Sequence, residues 1–169
     1  MYISELKLWN FRKYGGDEFD LTKPHLVVPF KRGMNVLIGE NDSGKTAIVD
    51  AIKYVLKTNA YESIRIQQDD FYNDKEHLRI ELLIDDVRDS EASNFTEIIT
   101  PRDNGGLASM KLVLDVARKD GHIQAYEVKG GNDADGHSLT PLMKDNLRIT
   151  YLKPLRDAEN ELTAKKNSR

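Results

Sequence analysis

Apolar and polar residues alternate from Tyr2 to Phe11, with Leu6, Leu8 and Asn10 on one side and Lys7, Trp9 and Phe11 on the other. That period of two predicts a strand. Tyr14-Gly15-Gly16-Asp17 predicts a turn, after which Phe19 and Leu21 resume the alternation, so a hairpin is expected to open the domain. Leu26-Val27-Val28 and Met34-Asn35-Val36-Leu37-Ile38 flank the turn residues Lys31-Arg32-Gly33. The second of these runs is apolar enough to predict a strand buried on both faces. From Thr46 to Lys57 the apolar positions Ile48, Val49, Ile52, Val55 and Leu56 recur at three and four, the spacing of one helix face. A polar stretch follows from Tyr61 to Lys75. Leu78 to Ile84 alternates again, as do Met110, Leu112, Leu114 and Val116. Asp120-Gly121 is a hairpin signal, and Ile123 to Lys129 completes that pair. Residues 130–136 read as a loop and Leu147 to Leu152 as a last strand. Arg156 to Lys166 has helix formers but only Ala158, Leu162 and Ala164 as apolar positions, the start of a helix without a packing partner.

With 169 residues, 39% of them hydrophobic, the chain suits one globular domain with a core of its own. It has no stretch of about 18 apolar residues and no signal-like start, so no membrane partner is expected and the expected setting is cytoplasmic. The absence of cysteine excludes disulfides, thiolate zinc sites and cysteine nucleophiles. A net charge of -3 offers no overall basic footprint for nucleic acid, so DNA contacts must be local or made by regions outside this chain. The short basic runs Lys31-Arg32 and Lys165-Lys166 read as solvated surface.

The chemistry concentrates in Gly39-Glu40-Asn41-Asp42-Ser43-Gly44-Lys45-Thr46, two glycines at fixed spacing followed by Lys and Thr. At ordinary residue frequencies a chain of this length matches that pattern by accident about once in two hundred cases. An apolar run precedes it and an amphipathic helix follows, the setting in which backbone N–H groups and a helix N-terminus receive phosphate. In this reading Gly39 and Gly44 allow close backbone approach, Lys45 is the catalytic cation on the β- and γ-phosphates, and the Thr46 hydroxyl is the ligand for Mg²⁺. The cofactors implied are ATP and Mg²⁺, with the whole loop from Gly39 through Glu40, Asn41, Asp42 and Ser43 to Ala47 lining the nucleotide.

Hydrolysis also needs an acid on the metal shell and a group that positions water. Leu82-Leu83-Ile84-Asp85-Asp86 offers one candidate acid, Asp85, but the alternation of Leu78, Ile80, Leu82 and Ile84 with Arg79, Glu81 and Asp85 suits a strand with one solvated face better than a central parallel strand. The four histidines lack ligand spacing, and the acidic pairs Asp69-Asp70, Asp85-Asp86 and Asp133/Asp135 read as solvated charge.

Three stretches resemble the OLD-type ATPases (overcoming lysogenisation defect), within the wider group that includes SMC and RecF proteins. They are Ile3 to Tyr14 with its Asn10-Phe11-Arg12 step, Leu37 to Ile52 around the loop, and Tyr151 to Ala158. The resemblance implies an α/β (α+β) P-loop NTPase fold, the N-terminal part of an ABC-type ATPase head with a mixed sheet around the loop helix and an antiparallel subdomain beside it. It divides the chain into 1–60 (strand, loop and helix), 76–130 (antiparallel β subdomain) and 147–169 (last strand and start of a helical arm). It further implies that Arg12 and Lys13 lie beside the phosphates, although an exposed cationic strand end is an equally ordinary reading of both. It implies a homodimer in the full-length protein, with ATP between subunits, and a nuclease domain further along. The glutamine that most of the wider group place after the antiparallel subdomain has no counterpart in Tyr151 to Ala158, where Arg156 or Asp157 are the available substitutes. Gln67 and Gln68 sit in a polar run that reads as solvated loop. Alternatives are an SMC- or RecF-like repair ATPase, a self-contained hydrolase or kinase using Asp85, and a binding module with a structural nucleotide.

Overall fold

A computed structural model describes residues 1–56, 65–101, 106–133, 136–147 and 149. Leu152 to Ala158 and the basic residues near the C-terminus lie outside them, as does most of the strand expected over Leu147 to Leu152.

The described residues build an eight-stranded sheet with one principal helix. Strand β1 (Tyr2–Trp9) lies between β2 (Leu26–Pro29) and β3 (His77–Val87), and the main path continues through β5 (Ala108–Lys119) and β7 (Val128–Gly130) to β8 (His137–Ser138). Short strands β4 (Ile99–Thr100) and β6 (His122–Ile123) also pair with β5. Helix α1 (Lys45–Leu56) packs on the sheet, while α2 (Asp89–Ala92) and α3 (Pro141–Asn146) are short connectors.

Register explains the core. Leu6 faces Leu82, which faces Leu112, and Leu8 faces Ile80, which faces Leu114. Leu78 opposite Val116 and Ile84 opposite Met110 extend the same layer. All of these side chains are buried, and Ala47, Ile48, Ala51, Val55 and Leu56 of α1 join them in one cluster. Each such large apolar side chain contributes roughly 1.5–3 kcal/mol by leaving water. The opposite face is charged: Arg79 bonds Glu81 and Asp115, and Lys7 pairs with Glu5. The sheet therefore has one dry and one wet face, as the alternation over Leu78 to Asp85 predicts.

Four expectations are corrected. The run Met34 to Ile38 forms no strand; Met34, Val36 and Ile38 are 90%, 68% and 91% exposed. A strand buried on both faces needs hydrogen-bonded neighbours and covering layers, but both edges of β1 are taken by β2 and β3, and no described strand pairs with 34–38. For the same reason the expected mixed sheet is absent among the described residues, where every pairing is antiparallel, and β1 and β2 belong to the same sheet as the strands of 76–130. The strand returning beside β1 is Leu26–Pro29, leaving Phe19 and Leu21 exposed. Finally, Leu147 caps the C-terminus of α3, a helix that Thr140-Pro141 begins by side-chain capping of the Met143 N–H.

Asp120 and Gly121 adopt φ of 50° and 74° at the β5–β6 turn, the left-handed pair that a two-residue hairpin requires. Beyond it, three residues of β5 (115–117) face four on the returning chain (124–127), so a bulge separates β6 from β7. No helix among the described residues is long and apolar enough to cross a membrane.

Candidate nucleotide-binding loop

The site is assembled where β1 ends. Asn10, buried and at φ 50°, turns the chain out of the strand, and Phe11 and Tyr14 exchange backbone hydrogen bonds across a tight turn with Arg12 at φ 50°. That turn is pinned from below: the Arg12 N–H donates to the Asp70 carbonyl and the Tyr72 N–H to the Asn10 carbonyl, at 2.8 and 2.9 Å. It carries Lys13 and Tyr14 to the loop. Lys13 Nζ donates to the Asp42 carbonyl at 2.8 Å and the Tyr14 hydroxyl to the Ser43 carbonyl at 3.3 Å. Burial pushes the Tyr14 hydroxyl above its ordinary pKa.

Within the loop, Asp42 sits at φ 60° and Gly44 at φ 97°, and the Ser43 N–H returns to the Glu40 carbonyl at 3.3 Å. Helix α1 starts with the Ile48 N–H donating to the Gly44 carbonyl, so the N–H groups of its first turn have no helical acceptor. Lys45 Nζ lies across the loop, bonded to the carbonyls of Gly39 at 2.8 Å and Glu40 at 2.5 Å and to Ser43 Oγ at 3.2 Å. The Thr46 side chain is exposed on the first turn of α1, and Ala47 is buried beneath it. A Cβ on Gly39 would stand 2.7 Å from Ser43 Oγ and 3.2 Å from its Cβ, so a side chain there would displace the serine hydroxyl that bonds Lys45. An ammonium laid across the loop, unsatisfied first-turn N–H groups and a glycine-lined backbone fit a polyphosphate, and the adjacent Thr46 hydroxyl fits a divalent cation beside it.

Arg12 is placed differently from Lys13. Its Nε bonds Asp70 Oδ1 and its NH1 bonds Asp50 Oδ2, both at 2.8 Å, so it ties α1 to the segment preceding β3. Burial lowers its affinity for the proton, but the bonds to Asp70 and Asp50 outweigh that and raise its pKa. Asp70 in turn accepts from the Tyr54 hydroxyl at 2.7 Å and the Gln67 N–H at 2.8 Å. Burial, then the bond to Asp70, pushes the Tyr54 hydroxyl well above its ordinary range. Asp70 is only 3% exposed, with Ile66 and Phe71 buried beside it, so Asp70 is no solvated charge although it lies in an otherwise exposed polar run. Gln67 and Gln68 do lie at the surface, where Gln68 bonds the Gly121 carbonyl and Arg118. The signal for Asp70 was its spacing: three residues after Gln67, it closes a short 3₁₀ turn by taking the Gln67 N–H.

Asp85 pairs with Tyr2, at the end of β1 opposite Trp9. At about 3.4 Å per residue it stands some 24 Å along the sheet from Trp9, the strand end from which the turn that touches the loop departs. Its neighbour Asp86 pairs with Arg32. Among the described residues no cluster of three or more potential metal ligands occurs.

The model of the AAA ATPase domain family matches residues 1–166. Similar curated proteins include the DNA replication and repair protein RecF of Francisella tularensis subsp. novicida (strain U112) and that of F. tularensis subsp. tularensis (strain WY96-3418). Each is 34% identical over 68 residues, a match that covers 40% of this chain and 17% of the relative. The matched stretch is thus less than a fifth of the length of these relatives.

Proposed function

Because the chain belongs to the AAA ATPase domain family, we propose that it binds ATP with Mg²⁺ at Gly39–Thr46, as the ATPase part of a protein that acts on DNA. The observation that carries this reading is the loop itself: a glycine-lined turn opening α1, with Lys45 held only by groups that a phosphate chain can replace. Bound there, ATP·Mg²⁺ would supply the polarised phosphoanhydride. Lys45 would neutralise phosphate oxygens, the N–H groups of residues 44–47 would receive them, and Thr46 would hold the cation. Glu40, Asn41, Asp42 and Ser43 shape the loop through their backbone. Lys13 and Arg12 support it from outside.

The distance of Asp85 from the loop argues that hydrolysis draws its metal-shell acid from elsewhere, either outside the described residues or on a second subunit across the nucleotide in a homodimer. Two finer readings of the biology stand side by side. The sequence likeness over Ile3–Tyr14, Leu37–Ile52 and Tyr151–Ala158 supports the N-terminal ATPase segment of an OLD-type ATP-dependent nuclease. The 34% identity to RecF supports a RecF-like repair ATPase equally well.

Calorimetric titration with ATP·Mg²⁺, run beside a phosphate-release assay, tests the site. Wild type is expected to bind with little release, and Lys45→Ala to lose at least tenfold in affinity, the scale of one charge-assisted phosphate contact. Unchanged affinity in Lys45→Ala would falsify the loop assignment, and sustained release by the isolated chain would bring Asp85 back as the acid.

A further inference from the structure

We infer that Lys13 and Tyr14 are positioning residues that set the orientation of two successive peptide groups in the loop and thereby aim the Gly44 N–H at an incoming phosphate. The inference rests on the reading of Gly39–Thr46 as a nucleotide site, and its argument is one of peptide geometry. A trans peptide holds its C=O and N–H on opposite sides. Lys13 Nζ grips the Asp42 carbonyl, whose peptide carries the Ser43 N–H; that N–H is turned back to the Glu40 carbonyl. The Tyr14 hydroxyl grips the Ser43 carbonyl, whose peptide carries the Gly44 N–H. With the Ser43 oxygen held on the outer side, the Gly44 N–H faces the other way and joins the unsatisfied N–H groups of the first turn of α1.

The packing of the same two side chains agrees. A Cβ on Gly44 would stand 2.0 Å from the Tyr14 oxygen, 2.7 Å from its Cζ and 3.0 Å from Lys13 Cδ. The loop backbone is seated directly against these two side chains, which is why this position needs glycine for space as well as for its φ of 97°. Asp42 sits at φ 60°, a left-handed conformation that aspartate tolerates, and the Lys13 bond to its carbonyl holds the peptide that follows it.

Tyr14→Phe keeps the ring and removes the donor; Lys13→Met removes the ammonium, and Lys13→Arg keeps a donor. In the nucleotide-free chain, ¹⁵N relaxation should show Ser43 and Gly44 losing order in Tyr14→Phe and Lys13→Met. In titrations with ATP·Mg²⁺ and ADP·Mg²⁺, each of these variants should weaken both nucleotides by the same factor, about three- to tenfold. Lys13→Arg should restore affinity to within about twofold, and melting temperatures should stay close to wild type. Wild-type order in Tyr14→Phe, or a loss in Lys13→Met confined to ATP, overturns the inference, the latter because it marks Lys13 as a direct ligand of the terminal phosphate. Loss of affinity that tracks melting temperature overturns it as well. If Lys45→Ala leaves affinity intact, the nucleotide reading fails separately, while the relaxation data still decide whether the brace exists.

Discussion

Asp70 holds a carboxylate where only 3% of the residue meets solvent, and three donors reach it: Arg12 Nε, the Tyr54 hydroxyl and the Gln67 N–H. Removing one partner of such a buried set leaves the others desolvated and unpaired, which costs more than the interaction itself contributes. Asp70→Ala is therefore expected to lower unfolding free energy by about 3 kcal/mol in urea melts. Because Tyr54 and Asp70 share a bond, adding Tyr54→Phe to Asp70→Ala should cost much less than Tyr54→Phe alone. Additive losses would mean that the two act independently and that the network is only a set of neighbours. The same geometry gives Arg12 its role. A guanidinium bonded by Asp50 of α1 and by Asp70 fixes the helix that follows the loop to the turn that precedes it.

At the scale of elements, the contrast lies between β1 and the run Met34 to Ile38, two segments that read alike as strands. β1 has β2 and β3 on its two edges, whereas 34–38 has no described strand on either. Hydrogen exchange should separate them: amides of Leu6 and Leu8 protected by orders of magnitude, those of Val36 and Leu37 exchanging near the rate of an open chain. Strong protection at 34–38 would show that the segment finds a strand partner in solution. The pair also shows what a sequence can carry. Periodicity located β1, α1, β3 and β5 closely, because each buries its apolar side chains within the same sheet-and-helix core. The loop was legible for a different reason, since its glycines and Lys45 are demanded by local backbone chemistry. Strand pairing was not legible where the partner decides it. Leu26–Pro29, rather than Phe19 and Leu21, returned beside β1, and Met34 to Ile38 kept its apolar character without a neighbour to bury it. Asp70 reads as solvated charge in the sequence, and its tie to Arg12 was not legible, because charge patterning along a chain carries no information on which carboxylate a distant guanidinium will meet.

At the scale of the whole molecule, the exposed apolar side chains are unevenly spread. Among the described residues, Met34, Val36 and Ile38 are the three most exposed of the large hydrophobic side chains, and they fall within five positions leading into the loop. With a net charge of only -3, little long-range repulsion opposes association through such a patch. The chain is expected to bind a hydrophobic dye in its native state and to self-associate as concentration rises. Replacing Met34, Val36 and Ile38 together by serine should remove most of the dye signal. Because these side chains contribute almost no buried area, the same triple variant should leave stability within about 1 kcal/mol of wild type, the range of surface substitutions. Burial and exposure thus make opposite forecasts for one protein sample. A loss of several kcal/mol in the triple variant means that 34–38 is packed inside the molecule in solution. A dimmed dye signal at full stability means that the segment entering the loop stands open, and that the strand its sequence describes is completed only by residues this sheet does not supply.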